Sequence, residues 1–173
     1  PARSGTITMG GQTFTVNQGS GCSATLGSTS ASPAAGGGTA SVGITMSNAA
    51  CPWTTSNATP WISAVTASGT GSSTVSYTVA ANPGLARTGT FTIAGQTFTV
   101  NQGNGCAASL PATSASIGAG AGTTSAAITM TAGACPWTAS TSTPWISGVT
   151  ASGTGSGTVS YTVTANPGLA RSG

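Results

Sequence analysis

The sequence predicts an all-β protein made of tandem β-sandwiches of about seven short strands each, and three observations carry that prediction. Every landmark returns without a gap after 84 positions: Cys51 as Cys135, Trp61 as Trp145, Arg87 as Arg171, with Arg3 opening the series. Apolar residues alternate with Thr and Ser at period two, and turn residues interrupt them about every 8–12 positions. No window holds a helical period. A repeat of 84 residues exceeds the roughly 20–50 of a solenoid unit and suits one small β domain.

The first element is a hairpin. Thr6-Ile7-Thr8-Met9 and Gln12-Thr13-Phe14-Thr15-Val16 alternate apolar with polar, and Gly10-Gly11 supplies the positive-φ pair of a tight primed turn. Its copy runs from Thr90 to Ile93, through Ala94-Gly95, to Val100. Ile7, Met9, Phe14 and Val16 are expected to face a core, with the threonines outward. Asn17-Gln18-Gly19 and Asn101-Gln102-Gly103 are expected to lead into linkers. From Cys22 to Gly38 the chain is rich in Ser, Ala and Gly and is expected to be loop-like. Val42, Ile44 and Met46 restore the alternation, more weakly copied by Ala126, Ile128 and Met130. Residues 61–65 and 75–79 are further expected strands, separated by a Gly/Ser loop at 67–72. Asn82-Pro83-Gly84 is turn chemistry.

Four cysteines permit three pairings. Cys22–Cys51 with Cys106–Cys135 treats both repeats alike and closes loops of about 30 residues, worth roughly 3–4 kcal/mol in the chain-entropy model. The competitor joins Cys51 to Cys106 and leaves Cys135 for Cys22 of a neighbouring molecule. Zinc is not expected, because there is no His and no Cys-x-x-Cys spacing. Trp53 and Trp137 are candidates either for packing against a disulfide or for stacking on sugar rings. Trp61 and Trp145, each followed by Ile, are expected in the core.

The charge inventory excludes whole classes of function. Asp, Glu, His and Lys are absent, and three arginines carry all the side-chain charge. General acid–base catalysis has no group at a tuned pKa, and a Ser or Cys nucleophile has no adjacent base. Hard cations find no carboxylate. Three scattered arginines make no phosphate-tracking surface, so no nucleic-acid partner is expected. The apolar runs are too short to span a membrane, and no membrane insertion is expected. The expectation is a protein that is not an enzyme and carries no cofactor and no metal. So few charges also favour association.

Taken in order, Cys51-Pro52-Trp53-Thr54, Pro60-Trp61-Ile62-Ser63, Gly69-Thr70-Gly71-Ser72, Val75-Ser76-Tyr77-Thr78-Val79, Asn82-Pro83-Gly84-Leu85-Ala86-Arg87-Thr88-Gly89 and Ala94-Gly95-Gln96-Thr97-Phe98-Thr99-Val100-Asn101-Gln102 form a series. This series resembles the BACON-type domains of bacterial surface and secreted proteins. The resemblance implies immunoglobulin-like β-sandwiches, an extracellular or cell-surface location and a carbohydrate-binding role of the kind the family is named for. It transfers no binding residue.

Such a domain begins near Cys22 and ends with the Gly-Gln-Thr-Phe-Thr-Val hairpin. Residues 1–19 are therefore expected to be an orphan β-hairpin that completes a neighbouring domain, 20–103 a complete sandwich, and 104–173 a sandwich lacking its final hairpin. Docking the hairpin of one molecule into the open sandwich of the next would join copies head to tail, with Ile7, Met9, Phe14 and Val16 at the joint. The expected function is a structural subunit, or a tandem-array segment, of an extracellular filament or surface stalk. The alternative is a carbohydrate-binding or adhesin module that takes polysaccharide.

Overall fold

Alternating apolar and hydroxyl residues become strands throughout. The computed structural model describes residues 2–19 and 21–173, and among these it contains strands and turns but no helix. The chain divides into two units, Pro1–Ala81 with Arg87–Gln102, and Asn82–Ala86 with Gly103–Gly173.

Unit 1 opens with β1 (Arg3–Met9) and β2 (Gln12–Gln18), an antiparallel pair in which Ile7 lies opposite Phe14 and Gly5 opposite Val16. Gly10 at φ 57° and Gly11 at φ 77° make the turn, as the sequence predicts. There follow β3 (Ala24–Leu26), β4 (Ser30–Ala31), β5 (Gly38–Met46), β6 (Pro52–Asn57), β7 (Ile62–Ser63), β8 (Ser68–Thr70), β9 (Ser73–Val79), β10 (Arg87–Ile93) and β11 (Gln96–Gln102). These nine build two sheets, ordered β4-β11-β10-β6-β8 and β3-β5-β9-β7. Between them lies the core. Val42, Ile44 and Met46 of β5 and Val75, Tyr77 and Val79 of β9 meet Phe91, Ile93, Phe98 and Val100 of the β10–β11 hairpin. The rings of Tyr77, Phe91 and Phe98 pack mutually, with centroids 5.2–5.7 Å apart and tilted planes.

Unit 2 contains β12 (Ala108–Ser109), β13 (Gly122–Met130), β14 (Pro136–Thr138), β15 (Ile146–Ser147), β16 (Ser152–Thr154) and β17 (Gly157–Val163). One sheet, β12-β13-β17-β15, reproduces β3-β5-β9-β7 strand for strand. The register is preserved as well: Gly38 opposite Val79 becomes Gly122 opposite Val163. The other sheet is reduced to β14–β16, the counterparts of β6–β8. Positions 114–115, which correspond to β4, form no strand and are exposed. Their counterpart pairs in parallel with β11, through Thr99–Ser30 and Val100–Ala31. An edge strand of two residues needs that template.

Several expected loops and strands come out differently. Residues 67–72 are not a plain loop, because β8 there pairs with β6, itself unanticipated next to Pro52. The strand expected over 61–65 shrinks to β7, where Ala64 turns to φ 48° and ends the ladder. The Gly/Ser/Ala stretch after Cys22 holds β3 and β4 and the start of β5. Its Gly37 is pressed so close to the backbone of Val79 that a Cβ would overlap the carbonyl oxygen.

Candidate functional site

The disulfides set the corner from which each unit is built. Cys22 is bonded to Cys51 and Cys106 to Cys135, each pair 29 residues apart in sequence. Immediately after each lies a tryptophan. Trp53 is buried, at 3% exposure, and its indole N–H donates to the Gly71 carbonyl at 2.9 Å. The ring lies against Gly69 on the neighbouring strand β8, where any Cβ would collide with it. Trp53 therefore has no open face for a sugar ring, because the ring is part of the corner. Trp137 repeats the geometry, donating to Gly155 O at 2.9 Å, but it is half-buried.

Trp61 packs against the core, as expected, but at its edge and only partly buried. Its outer face is covered by the Arg87 guanidinium, with Cζ 4.4 Å from the ring centroid. Arg87 is also the centre of a polar cluster. Its Nε donates to Gln102 Oε1 at 2.8 Å, and Nη2 donates to the carbonyls of Ala80 and Ala81. Gln102 is 1% exposed, and its Nε2 donates to the carbonyls of Ala34, Ala35 and Ala80. One carboxamide thus ties the end of β11 to three backbone carbonyls and an arginine. Gln102, expected at the exit to a linker, is a buried keystone. The sequence signal was the paired spacing of Arg3 with Gln18 and Arg87 with Gln102, which the hairpin register places opposite each other.

The β1–β2 hairpin shows the same residues without a core. Ile7, Met9, Phe14 and Val16 are 46–56% exposed, whereas Phe91, Ile93, Phe98 and Val100 at the corresponding positions are 0–2% exposed. Arg3 Nε reaches Gln18 Oε1 at 2.6 Å, so the Arg–Gln pair forms within the hairpin itself. Gln18 is nevertheless exposed.

Unit 2 shows the complementary condition. Val159, Tyr161 and Ile146 are only half-buried, while Val75, Tyr77 and Ile62 are at most 2% exposed. Leu110 is 52% exposed where Leu26 is 8%. A groove of about 340 Å³ runs beside Gly118, Ala119, Trp145, Thr164 and Arg171. Arg171 lies over Trp145 at 4.5 Å, and its Nη2 donates to the carbonyls of Thr164 and Ala165, as Arg87 does in unit 1. Its Nε has no hydrogen-bond partner among the described residues. Gly173 lies against Thr143 and the Trp145 ring, the place Gly89 takes against Thr59 and Trp61.

Among the described residues no group of His, Cys, Asp or Glu could hold a metal ion, and no helix is long and apolar enough to cross a membrane. Asn57, which opens an Asn-Ala-Thr triplet, uses its amide to hold the carbonyls of Thr59 and Ile62. No curated protein matches the chain. The family model described as "BACON: Putative binding domain, N-terminal" matches residues 52–103 and 136–173, the same stretch of each repeat.

Proposed function

The chain belongs to the BACON family, and on that premise we propose that it is a non-catalytic structural segment of an extracellular filament or cell-surface stalk, joined head to tail through hairpin exchange. One observation carries this reading. The same hairpin pattern is buried where a sandwich holds it and half-exposed in β1–β2, while unit 2 shows the matching open face. The partner is a second copy of the chain. Each copy offers a hairpin and accepts one, and such a contact does not close on itself, so it propagates. Where repeats follow one another in one polypeptide, the next hairpin makes the same joint covalently, as β10–β11 does in unit 1.

The magnitudes are adequate. Covering the exposed half of four apolar side chains contributes roughly 1 kcal/mol each, and the new ladder hydrogen bonds add about 0.5–1.5 kcal/mol apiece. Against the cost of association this gives affinities on the order of micromolar. One disulfide in each of two small domains fits an oxidising, extracellular setting. The lack of acid, base and carboxylate side chains fits a protein that binds and bears load but does not catalyse.

Sedimentation of the whole chain across a concentration series tests the proposal. The wild type should form open-ended oligomers, and Phe14→Ser with Val16→Ser should remain monomeric with unit 1 folded. A wild type that stays monomeric at millimolar concentration rejects hairpin exchange and leaves the alternative, a polysaccharide-binding or adhesin module. That role would rest on Trp137, whose ring is half-buried, and not on Trp53. A polysaccharide pull-down with Trp137→Ala as control would then decide it.

A further inference from the structure

The groove beside Trp145 is lined by the counterparts of the residues that hold Gln102 in unit 1. We infer that it is a specific seat for a primary carboxamide, that of Gln18 from a second copy, and that Gln18 changes partner from Arg3 to Arg171 on entering. The inference rests on the hairpin-exchange reading and names the residue that would fix its register.

Unit 1 shows the filled form of the seat. Gln102 Nε2 donates to three carbonyls, those of Ala34, Ala35 and Ala80, and Gln102 Oε1 accepts from Arg87 Nε. In unit 2 the positions one repeat later are Gly118, Ala119, Thr164 and Arg171, and all four line the groove. The cation is already placed over its tryptophan, 4.5 Å from the centroid compared with 4.4 Å in unit 1. Its Nη2 is committed to Thr164 and Ala165 carbonyls, which leaves Nε–H without an acceptor among the described residues. A carboxamide is the neutral group that supplies both that acceptor and two donors. A carboxylate would face backbone carbonyls with no proton to give them, and an ammonium would face the guanidinium.

Gln18 carries such a group in the right place. It ends β2 as Gln102 ends β11, it is exposed, and its Oε1 accepts from an arginine Nε as that of Gln102 does. Two arginines cannot share one ring. Arg171 and Gly173 already occupy the positions that Arg87 and Gly89 hold in unit 1, so the incoming Arg3 is the one displaced. Two of the seat carbonyls already accept one bond each, Thr164 O from Arg171 Nη2 and Ala119 O from the Asn166 N–H, and a carbonyl can accept a second. Burial of the carboxamide then selects register: a slip by one residue would point Gln18 to the opposite face and forfeit its bonds to them.

The test compares whole-chain variants in the same sedimentation series. Gln18→Ala should weaken association by about tenfold or more, and Arg171→Ala should weaken it comparably. The double variant should be little worse than either alone, since both remove one contact. Arg3→Ala should leave association within about twofold of wild type. Gln18→Glu should weaken it at least as much as Gln18→Ala. Wild-type association unaltered by Gln18→Ala, additive losses for Gln18 and Arg171, or an Arg3→Ala loss as large as that of Gln18→Ala would overturn the carboxamide seat while leaving hairpin exchange standing. A monomeric wild type removes both.

Discussion

Unit 1 and unit 2 share a repeat and differ by a hairpin. The four-stranded sheet is indifferent to that difference, since β12-β13-β17-β15 keeps the order and register of β3-β5-β9-β7. The opposite sheet is not. Without a counterpart of β10–β11, the two residues equivalent to β4 do not pair, and Tyr161 and Val159 are left half-buried. One sheet of this sandwich is therefore locally specified and the other is conditional. The disulfide corner belongs with the first kind: Cys135 is as buried as Cys51.

The largest effect should come from the residue whose environment changes most. Phe98→Ala removes a ring that is 1% exposed and packed on Tyr77 and Phe91, and should cost about 3–5 kcal/mol of unit 1 stability in urea denaturation. Phe14→Ala, the same substitution one repeat earlier, should cost under about 0.5 kcal/mol in dilute, monomeric protein. Equal losses at the two positions would mean that the β1–β2 hairpin already has a core.

Removing a disulfide sharpens the contrast further down the scale. Each bond closes a 29-residue separation, and loss of either should cost about 3 kcal/mol. With its smaller buried core, unit 2 should unfold outright in Cys106→Ala with Cys135→Ala, whereas Cys22→Ala with Cys51→Ala should leave unit 1 folded but weakened. Hydrogen exchange read by mass spectrometry over 122–163 and 38–79 separates the two. Loss of protection in unit 1 alone would reverse the ranking of the units.

The smallest effect is that of pH. With no side-chain carboxylate and no His, stability should be nearly flat from about pH 3 to pH 8, the termini aside, since linkage acts only through groups that titrate. Above pH 10 unit 1 should respond. Burial raises the Tyr77 hydroxyl above its ordinary value of 10.0, so the unfolded chain loses this proton first. Unit 1 stability should then fall as pH rises beyond 10, a loss readable as a falling melting temperature. A flat response above pH 10 would show that Tyr77 keeps access to water.

What the sequence disclosed follows from what is local. The period, the hairpin turns at Gly10-Gly11 and Ala94-Gly95, and the alternation of β5 and β9 are written in neighbouring residues. Features decided by contacts across the sandwich were hidden. Trp53 and Trp61 both follow a proline, yet Trp53 is buried because Gly69 on β8 makes room for its ring, and Gly69 looked like a loop residue. Trp61 packs at the edge of the core, where the cover over its ring comes from Arg87, 26 positions away. Gln102 resembled a linker residue because its three carbonyl partners lie 22–68 positions distant. The apolar face of Ile7, Met9, Phe14 and Val16 was legible as a face; what covers it was not.

The rarity of charge gives the three arginines a further consequence. They are the chain's only sites for trypsin. Arg87 is clamped by four polar and aromatic contacts within a strand, and its peptide bond becomes a substrate only when that part of the sandwich opens. Arg3 and Arg171 are exposed, although Arg171 makes the same ring and carbonyl contacts in unit 2. Limited digestion of this protein is thus a clock with one slow hand, whose rate at Arg87 times the opening of a completed sandwich, and a faster one at Arg3 that slows only when something closes over it.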